Sequence, residues 1–465
     1  MITLSLAVRN LLRNRRRSLA TLLAMAIGSS SVLMFGGYSS NIKYAMETSY
    51  VRSGGHLQIQ HRDFYLYGSG NPTAYAIADS KRILDAILAD EVLRKMVLVA
   101  TPSLQFGGIA GNYSAGVSRT VIGNGLVAAD YNRMRRWNEY DISHSLPFFA
   151  LDGAAQDAAI VGTGLARVLQ LCGELNVPNC PQQEKEIRVD GTKLPDDIAE
   201  LSLQEKLSTS APVTTNQRRI ELLASNAKGI PNVASLEVIR AEGQGFKELD
   251  EVYVILHLDQ TQRLIYGNAP PKVTSIMLQL RNSNMAETAQ ERVTFLLSSV
   301  SPNQSLTVLG FGALNPFYTQ TILLFDTIFS FIFTLIAGIV LFTVGNTMNT
   351  AVVERTVEIG TLRAIGLRRG GIRRLFVVEG LLLGTVGALF GVICALTVSF
   401  VINRLGLSWL PPGGAEPLPL TLRVWGETWM IVGTTLGLIF IAVLSAWWPA
   451  YRAAKLNVVD ALRHA

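Results

Sequence analysis

Charged side chains of both signs stand close together in residues 354–370, a segment between two long apolar runs that we call the connector. Their chemistry is ionic, and acids alternate with bases instead of forming a purely basic tract. Such a pattern is typical of a surface that contacts another protein, and Gly366 is suited to end a helix here. The residues that carry the pattern are Glu354, Arg355, Glu358, Gly360, Thr361 and Arg363.

Cys172 and Cys180 form a second pair whose spacing could do chemistry. They lie eight positions apart, in a stretch that we expect to face an oxidising compartment, and this favours a disulfide. A two-cysteine metal site is the alternative, disfavoured because no histidine lies near them in the sequence. His56 and His61 flank a predicted strand, where structural or solvated histidines are commoner than metal ligands.

The chain lacks the sequence motifs of several enzyme classes. It has no GxxxxGK[ST] phosphate-binding loop, no HExxH and no GxSxG. We therefore predict no catalytic residue, no metal site and no cofactor bound directly by this chain.

Four apolar runs must position these residues. Hydrophobic residues make up 49% of the 465 residues and charged residues only 16%, and the mean hydropathy is +0.29. Each run is long enough to cross a hydrocarbon core of about 30 Å as a helix. We predict an α-helical membrane protein with four transmembrane helices, at residues 18–38, 321–353, 375–402 and 428–450.

Arginine and lysine residues mark the predicted cytoplasmic side. They are dense before the first run, in the connector and in the tail 451–465, and sparse in the loop 403–427. Both termini and the connector are therefore predicted to be cytoplasmic, and residues 39–320 and 403–427 periplasmic. The juxtamembrane arginines account for the pI of 9.2 without nucleic-acid binding.

Residues 1–17 place Leu4, Ala7, Val8 and Leu11 on one face at helical spacing. We predict an amphipathic elbow helix that lies on the cytoplasmic membrane surface. A cleaved signal peptide is the alternative interpretation of the first apolar run, and the length of that run argues against it.

The stretch 39–320 is long enough for one or two globular domains. Its periodicity predicts strands at 56–60, 97–104, 251–258, 275–280 and 305–310 and helices at 80–96 and 286–299. We predict a large α+β domain inserted between transmembrane helices 1 and 2. Its core is split between about 50–110 and 236–312, and an inserted subdomain occupies about 111–235.

Small residues recur four apart in the last two apolar runs. This GxxxG spacing lets helix backbones approach closely, within the subunit or across a dimer. The three pairs are Gly380 and Gly384, Gly387 and Gly391, and Gly433 and Gly437.

Glu379 lies only about one helical turn inside the third run. A local ion pair with Arg373, Arg374 or the connector is a simpler role for it than a proton relay.

Taken together, these features resemble the ABC transporter permeases of the FtsX/MacB type, which carry a MacB-like periplasmic domain. The resemblance spans nearly the whole chain, and the connector is its most specific part. It rests on VVERTVEIGTLRAIGLRRGGIRRLFVVEG in and after the connector, LAVRNLLRNRRRSLAT near the start, GGHLQIQHRDFY at Gly54–Tyr65 and the tail WWPAYRAAKLNVVDALRHA.

The resemblance implies that the connector contains a coupling helix, Glu354–Leu367, which docks on a separate ATPase subunit. The six connector residues named above match the family pattern. ATP would be hydrolysed on that ATPase, so the chain itself is predicted not to be an enzyme. Further implied partners are a second permease copy or homologue, a periplasmic adaptor protein and the lipid bilayer of the bacterial inner membrane.

The family architecture implies that ATP hydrolysis drives conformational work in the periplasm. That work would be export of a drug, peptide or small molecule, or extraction of a lipoprotein. The alternative is mechanotransmission, in which the protein regulates an envelope partner without transport; a membrane-anchored enzyme is a third and weaker hypothesis. Val458, where the family usually has proline, and the Cys172–Cys180 insertion depart from the family pattern and leave the substrate open.

Overall fold

The computed structural model describes residues 2–68, 70–143, 146–178, 180, 218–226, 228–409 and 417–456. The chain divides into two compact units. The membrane unit comprises Met1–Met46, Phe317–Trp409 and Leu418–Ala465, and the sheet unit comprises Glu47–Pro316 and Leu410–Pro417. The predicted tail 451–465 is described only as far as Leu456, and residues 181–217 of the predicted insertion lie outside the described residues.

Helices make up the membrane unit. Among the described residues, four of these helices are long and apolar enough to cross a membrane. In chain order these are the N-terminal helix Ile2–Arg13, the first long helix Arg15–Gly54, the second long helix Pro316–Glu354, the connector helix Thr356–Ala364, the third long helix Arg369–Leu405 and the fourth long helix Thr428–Lys455. Two short paired strands, Ser408–Trp409 and Leu418–Pro419, lie between the last two helices.

The long helices extend beyond the apolar runs that predicted them. The first continues to Gly54, well past residue 38, and the third begins at Arg369 instead of 375. Hydropathy reports which turns suit a hydrocarbon core, whereas backbone hydrogen bonding continues into polar turns until a cap or breaker ends the helix. The sequence therefore predicted the number of long helices but underestimated their lengths.

The third long helix uses a stripe of glycines to approach two other helices. A Cβ atom on Gly380 would lie 2.5 Å from Ala446 Cβ of the fourth long helix. A Cβ atom on Gly391 would lie 2.5 Å from Ser29 Cβ and 2.8 Å from the Ala26 carbonyl oxygen, both on the first long helix. Gly384 and Gly387 also approach these helices, with Cβ distances of 2.9 Å to Ala442 on the fourth and 2.7 Å to Met25 on the first. These spacings leave no room for side chains, so van der Waals contact between backbones holds the three helices together.

The remaining predicted pair behaves differently. A Cβ atom on Gly437 would meet the Phe333 ring at 2.9 Å, whereas one on Gly433 would meet no atom within 4 Å. Among the described residues, Gly433 therefore takes no part in close helix packing.

Nine strands of the described part of the chain form one sheet at the centre of the sheet unit. Its strand order is β3-β7-β4-β6-β5-β2-β8-β1-β9, with a further pairing between β2 and β3. The strands are β1 Leu57–His61, β2 Val97–Asn112, β3 Val117–Leu126, β4 Ala158–Gly162, β5 Arg219–Ser225, β6 Pro231–Glu242, β7 Tyr253–His257, β8 Ser275–Leu280 and β9 Leu306–Gly310.

Strand β2 belongs to two parts of this sheet. Its first half pairs with β8, which continues through β1 to β9. Its second half pairs with both β3 and β5, so that β2 through β7 form a closed ring of six strands. At 16 residues, β2 is long enough to serve both parts.

This topology corrects the predicted subdomain boundary. The two chain ends do share a core, because β1 lies between β8 and β9. However, the stretch assigned to a separate insertion at about 111–235 contributes β3 to β6 to the same sheet, within the described residues. Strand β7, assigned to the core, pairs with β3 and β4. Strand pairing is non-local, so periodicity alone did not reveal it.

Helices and turns cover the strands. The predicted helix at 80–96 is in fact two helices, because the Asp90 carboxylate accepts hydrogen bonds from the backbone N–H groups of Val92 and Leu93 and starts the second. The helices are Phe64–Tyr67, Ser80–Ala89, Leu93–Met96, Ala128–Arg135, Thr163–Val168, Cys172–Leu175, Lys247–Asp250, Leu258–Tyr266, Ala286–Val300 and Phe311–Leu314, with 3-10 turns at Pro72–Tyr75 and Ser283–Met285.

His56 is buried at the start of β1. Its Nδ1 atom accepts a hydrogen bond of 3.0 Å from the Leu280 N–H, and its ring packs edge-on against Trp137. Burial lowers the pKa of His56 to about 4, because the protonated ring would lose solvation. His56 is therefore a structural residue of the sheet unit.

We predict that acidification destabilises the sheet unit through His56. Between pH 6.5 and about 4 the unfolded chain binds a proton at this position and the folded chain does not, so stability is lost as the pH falls, by up to about 3 kcal/mol. Urea unfolding of the full chain in detergent, followed by tryptophan fluorescence, measures this loss. The variant His56→Asn, whose amide oxygen can still accept from Leu280 N–H, should show a flatter pH profile; an unchanged slope would contradict the assignment.

We predict that Gly391→Ala destabilises the membrane unit by about 1–3 kcal/mol, because the new methyl group meets backbone that cannot move aside. Gly433→Ala is the matched control, and we expect it to be neutral or slightly stabilising. Thermal unfolding of the two variants in the same detergent makes the comparison. Equal unfolding temperatures would argue against the close approach at Gly391.

Candidate functional site: the connector

A short helix occupies the centre of the connector. Arg355 breaks the second long helix, and the connector helix follows at Thr356–Ala364. Gly366 ends this helix, with a φ of +108°. The backbone N–H groups of Gly366 and Leu367 donate hydrogen bonds to the carbonyl oxygens of Arg363 and Leu362, respectively. The observed helix is shorter than the predicted Glu354–Leu367, because Glu354 is the last residue of the second long helix.

A buried ion pair joins the connector to the third long helix. Arg355 Nη1 donates to Glu379 Oε1 at 2.9 Å, and the two side chains are only 5% and 1% exposed. Asn10 of the N-terminal helix completes the cluster. Its side-chain amide donates to Glu379 Oε1 at 2.7 Å, and its backbone carbonyl oxygen accepts from Arg355 Nη2 at 3.1 Å. The expected ion pair of Glu379 therefore forms with the connector and not with Arg373 or Arg374.

Two exposed ion pairs join the connector to the start of the chain. Both oxygens of Glu358 accept from the Arg13 guanidinium, at 2.7 and 3.0 Å. Both oxygens of Glu354 accept from Arg17, at 2.5 and 2.9 Å. The hydrogen bond from Arg13 lowers the pKa of Glu358. The sequence assigned these acids to a partner's surface, whereas in the structure both are paired within the chain.

The opposite end of the connector helix contacts the fourth long helix. Arg363 Nη1 donates to the Leu456 carbonyl oxygen, just beyond the last turn of that helix. Gly360 is buried, and Thr361 is exposed with its hydroxyl donating to the Val357 carbonyl oxygen. The connector helix is thus attached to the N-terminal helix and to the third and fourth long helices.

Exposed apolar side chains remain on the connector. Ile365 is 79% exposed, and Val357, Leu362 and Leu367 are each more than a third exposed. Val357, Thr361 and Ile365 follow at intervals of four residues and form one ridge. Sequence reasoning concentrated on the charges and missed this ridge, although its i, i+4 spacing was visible.

The predicted cysteine pair lies in the sheet unit, away from the connector in the sequence. Cys172 and Cys180 are joined as a disulfide with Cα atoms 6.1 Å apart, near a hydrogen bond from Arg167 Nε to the Pro178 carbonyl oxygen. Within the described ranges, no group of three or more His, Cys, Asp or Glu side chains could hold a metal ion.

Two family models match the chain. Residues 327–458, which include the connector, most of the second long helix and all of the third and fourth, match the FtsX-like permease C-terminal family. Residues 18–200 match the MacB-like periplasmic core domain. With the four long apolar helices, these matches define a multi-pass membrane protein with an extracytoplasmic domain, of the class of ABC transporter permeases. The chain matches both a permease family model and a MacB-like domain model, so the resemblance to the FtsX/MacB-type permeases inferred from its sequence is confirmed.

Individual relatives agree with this assignment. The lipoprotein-releasing system transmembrane protein LolC of Neisseria meningitidis is 25% identical over 332 residues, which cover 67% of this chain and 76% of that protein. The ABC transporter permease YtrF of Bacillus subtilis is 37% identical over 25% of this chain and 28% of its own. The macrolide export ATP-binding/permease protein MacB of Sodalis glossinidius is 35% identical over 29% of this chain and 19% of its own. The chain thus spans less than a third of YtrF and MacB.

We predict that Glu379→Gln destabilises the membrane unit by about 3–5 kcal/mol, because it leaves the Arg355 charge buried without a counter-charge. The double variant Arg355→Met/Glu379→Met should recover most of this loss, since it removes both charges and keeps the volume. Thermal unfolding of the full chain in detergent gives both values. A double variant no more stable than Glu379→Gln would show that the ion pair does not control stability here.

Proposed function

We propose that this chain is the transmembrane subunit of an ABC transporter, in which the connector helix is the coupling helix that docks on a separate ATPase subunit. The observation that supports this most directly is the exposed ridge of Val357, Thr361 and Ile365, whose two aliphatic side chains face outward. A helix outside the apolar runs that keeps Ile365 79% exposed has an apolar surface that a protein partner would cover.

The attachment of the connector helix supports a role in transmitting motion. Glu358 joins it to the N-terminal helix, and Arg363 joins it to the end of the fourth long helix. The buried pair of Arg355 and Glu379 fixes its junction with the third. A push from an ATPase on the connector would therefore move several helices together, and the second long helix continues without a break to Pro316 as a lever.

Lipoprotein release is the transport activity that we propose first. The match to LolC covers 67% of the chain, more than the membrane unit alone contains, so it includes part of the sheet unit. The matches to MacB and YtrF cover 29% and 25% of the chain. Export of a drug, peptide or small molecule is the second candidate, supported by the MacB-like core domain match at 18–200. Mechanotransmission without transport is the non-transport alternative.

The proposal includes an assembly of several subunits in the bacterial inner membrane, with both termini and the connector cytoplasmic. Two permease copies, or this chain and a homologue, would pair around two ATPase subunits, and export would add a periplasmic adaptor. Affinity purification of the tagged chain from native membranes, with identification of every co-purifying protein, tests this composition. Recovery of a lipoprotein in complex with the chain would favour release, and recovery of an adaptor would favour export.

We predict that Ile365→Asp lowers recovery of the ATPase subunit about ten-fold or more, because a carboxylate would be buried at the interface without a partner. Co-purification and stimulated ATP hydrolysis are the measurements. Val233→Asp, at a residue 55% exposed in the sheet unit, is the matched control and should leave both unchanged.

Ile365 is a better test position than Glu354 or Glu358. Reversing either acid would also break its ion pair with Arg17 or Arg13, and the membrane unit itself would change. If Ile365→Asp and Val233→Asp both retain full ATPase binding and stimulation, the connector is not the docking site.

A further inference from the structure

A cluster of aromatic and cationic side chains lies where the fourth long helix ends, beside the start of the third. Trp448, Tyr451, Arg452 and Lys455 share one face of the fourth helix at spacings of three and four residues, and together with Leu456 they line an open groove of about 310 Å³. The opposite face carries buried Ala446, Ala450, Ala453 and Ala454.

Each cation of the cluster stacks on an aromatic ring. The Arg373 guanidinium lies 5.1 Å from the Trp447 ring centroid, Arg452 lies 5.4 Å from that of Trp448, and Lys455 Nζ lies 4.5 Å from that of Tyr451. Stacking of this kind holds the charge in place, and Lys455 also makes a hydrogen bond with the Tyr451 side chain.

The rings are exposed although they are large and apolar. Trp448 is 67% exposed, Trp447 50% and Tyr451 47%. Tryptophan and tyrosine at the end of a membrane helix are suited to the headgroup level of a bilayer, where one side of the ring meets acyl chains and the polar edge meets water.

The charge of the cluster is of one sign. Arg373, Arg452 and Lys455 supply three cations, and none of the described residues that line the groove is acidic. The nearest acid along the third helix, Glu379, is buried and paired with Arg355. We propose that this cluster is a binding site for the headgroup of an anionic phospholipid of the surrounding membrane, with the phosphate between the three cations and the glycerol backbone against the tryptophan rings.

Fluorescence quenching by brominated lipids tests this proposal on the full chain. The chain without any ATPase is reconstituted into phosphatidylcholine vesicles that contain either brominated phosphatidylglycerol or brominated phosphatidylcholine. The signal of the site is the difference in tryptophan fluorescence between the unmodified chain and the variant Trp447→Phe/Trp448→Phe. We expect phosphatidylglycerol to bind about five-fold more tightly than phosphatidylcholine at this site.

A pair of charge-matched variants separates the site from general attraction to a basic surface. Arg373→Gln/Arg452→Gln/Lys455→Gln should abolish the preference for phosphatidylglycerol. The control Arg368→Gln/Arg369→Gln/Arg374→Gln removes three exposed arginines at the same end of the third helix and should keep it. Arg452→Gln alone should reduce the preference for phosphatidylglycerol without abolishing it. This single variant tests the site if the triple variant does not fold.

Three results would overturn the proposal. Equal quenching by the two lipids would show that the site has no preference for the anionic headgroup. Equal loss of preference in the two triple variants would assign the effect to bulk charge. Displacement of brominated phosphatidylglycerol by millimolar inorganic phosphate would identify a site for the free anion and not for the lipid.

Discussion

The membrane unit depends on the buried ion pair of Arg355 and Glu379. Both charges lie away from water, and each is also hydrogen-bonded to Asn10, so three chain segments meet at one point. A pair of this kind stabilises a structure only while both charges and their hydrogen bonds are present, because either charge alone carries the full desolvation penalty. Partial separation of the N-terminal helix, the connector and the third long helix is therefore unfavourable, and the three are expected to move as one body.

The exposed pairs around this centre have a different role. Arg13 with Glu358 and Arg17 with Glu354 are largely solvated, and exposed pairs add little to stability. The bidentate pair of Glu358 instead fixes the rotation of the connector helix about its own axis, and that of Glu354 fixes the end of the second long helix. With Glu358 held against the N-terminal helix and Glu354 against the first long helix, Val357 and Ile365 remain on the exposed surface. The buried pair thus sets where the connector lies, and the exposed pairs set which side of it a partner can reach.

Local patterns predicted much of this structure, and non-local contacts account for the rest. Apolar runs and periodicity identified the four long helices, the strand Ser275–Leu280 and the helix that begins at Ala286, because each depends on neighbours within a few residues. The partner of Glu358 was missed because Arg13 lies 345 residues away along the chain. The double role of β2 was missed for the same reason. In the connector, the charges matched a known pattern, but whether they face a partner or their own chain depends on tertiary packing.

The third long helix connects the ion pair to the rest of the membrane unit. Glu379 is followed directly by Gly380, the first of the glycines that bring this helix against the fourth and then the first long helix. Backbones this close exclude water around the carboxylate, and a lower local dielectric strengthens its attraction to Arg355. Close packing also leaves no slack for side chains to absorb a displacement. Under the proposed function, a displacement of the connector would pass through Glu379 to the third long helix and, through these close contacts, to the first and fourth long helices.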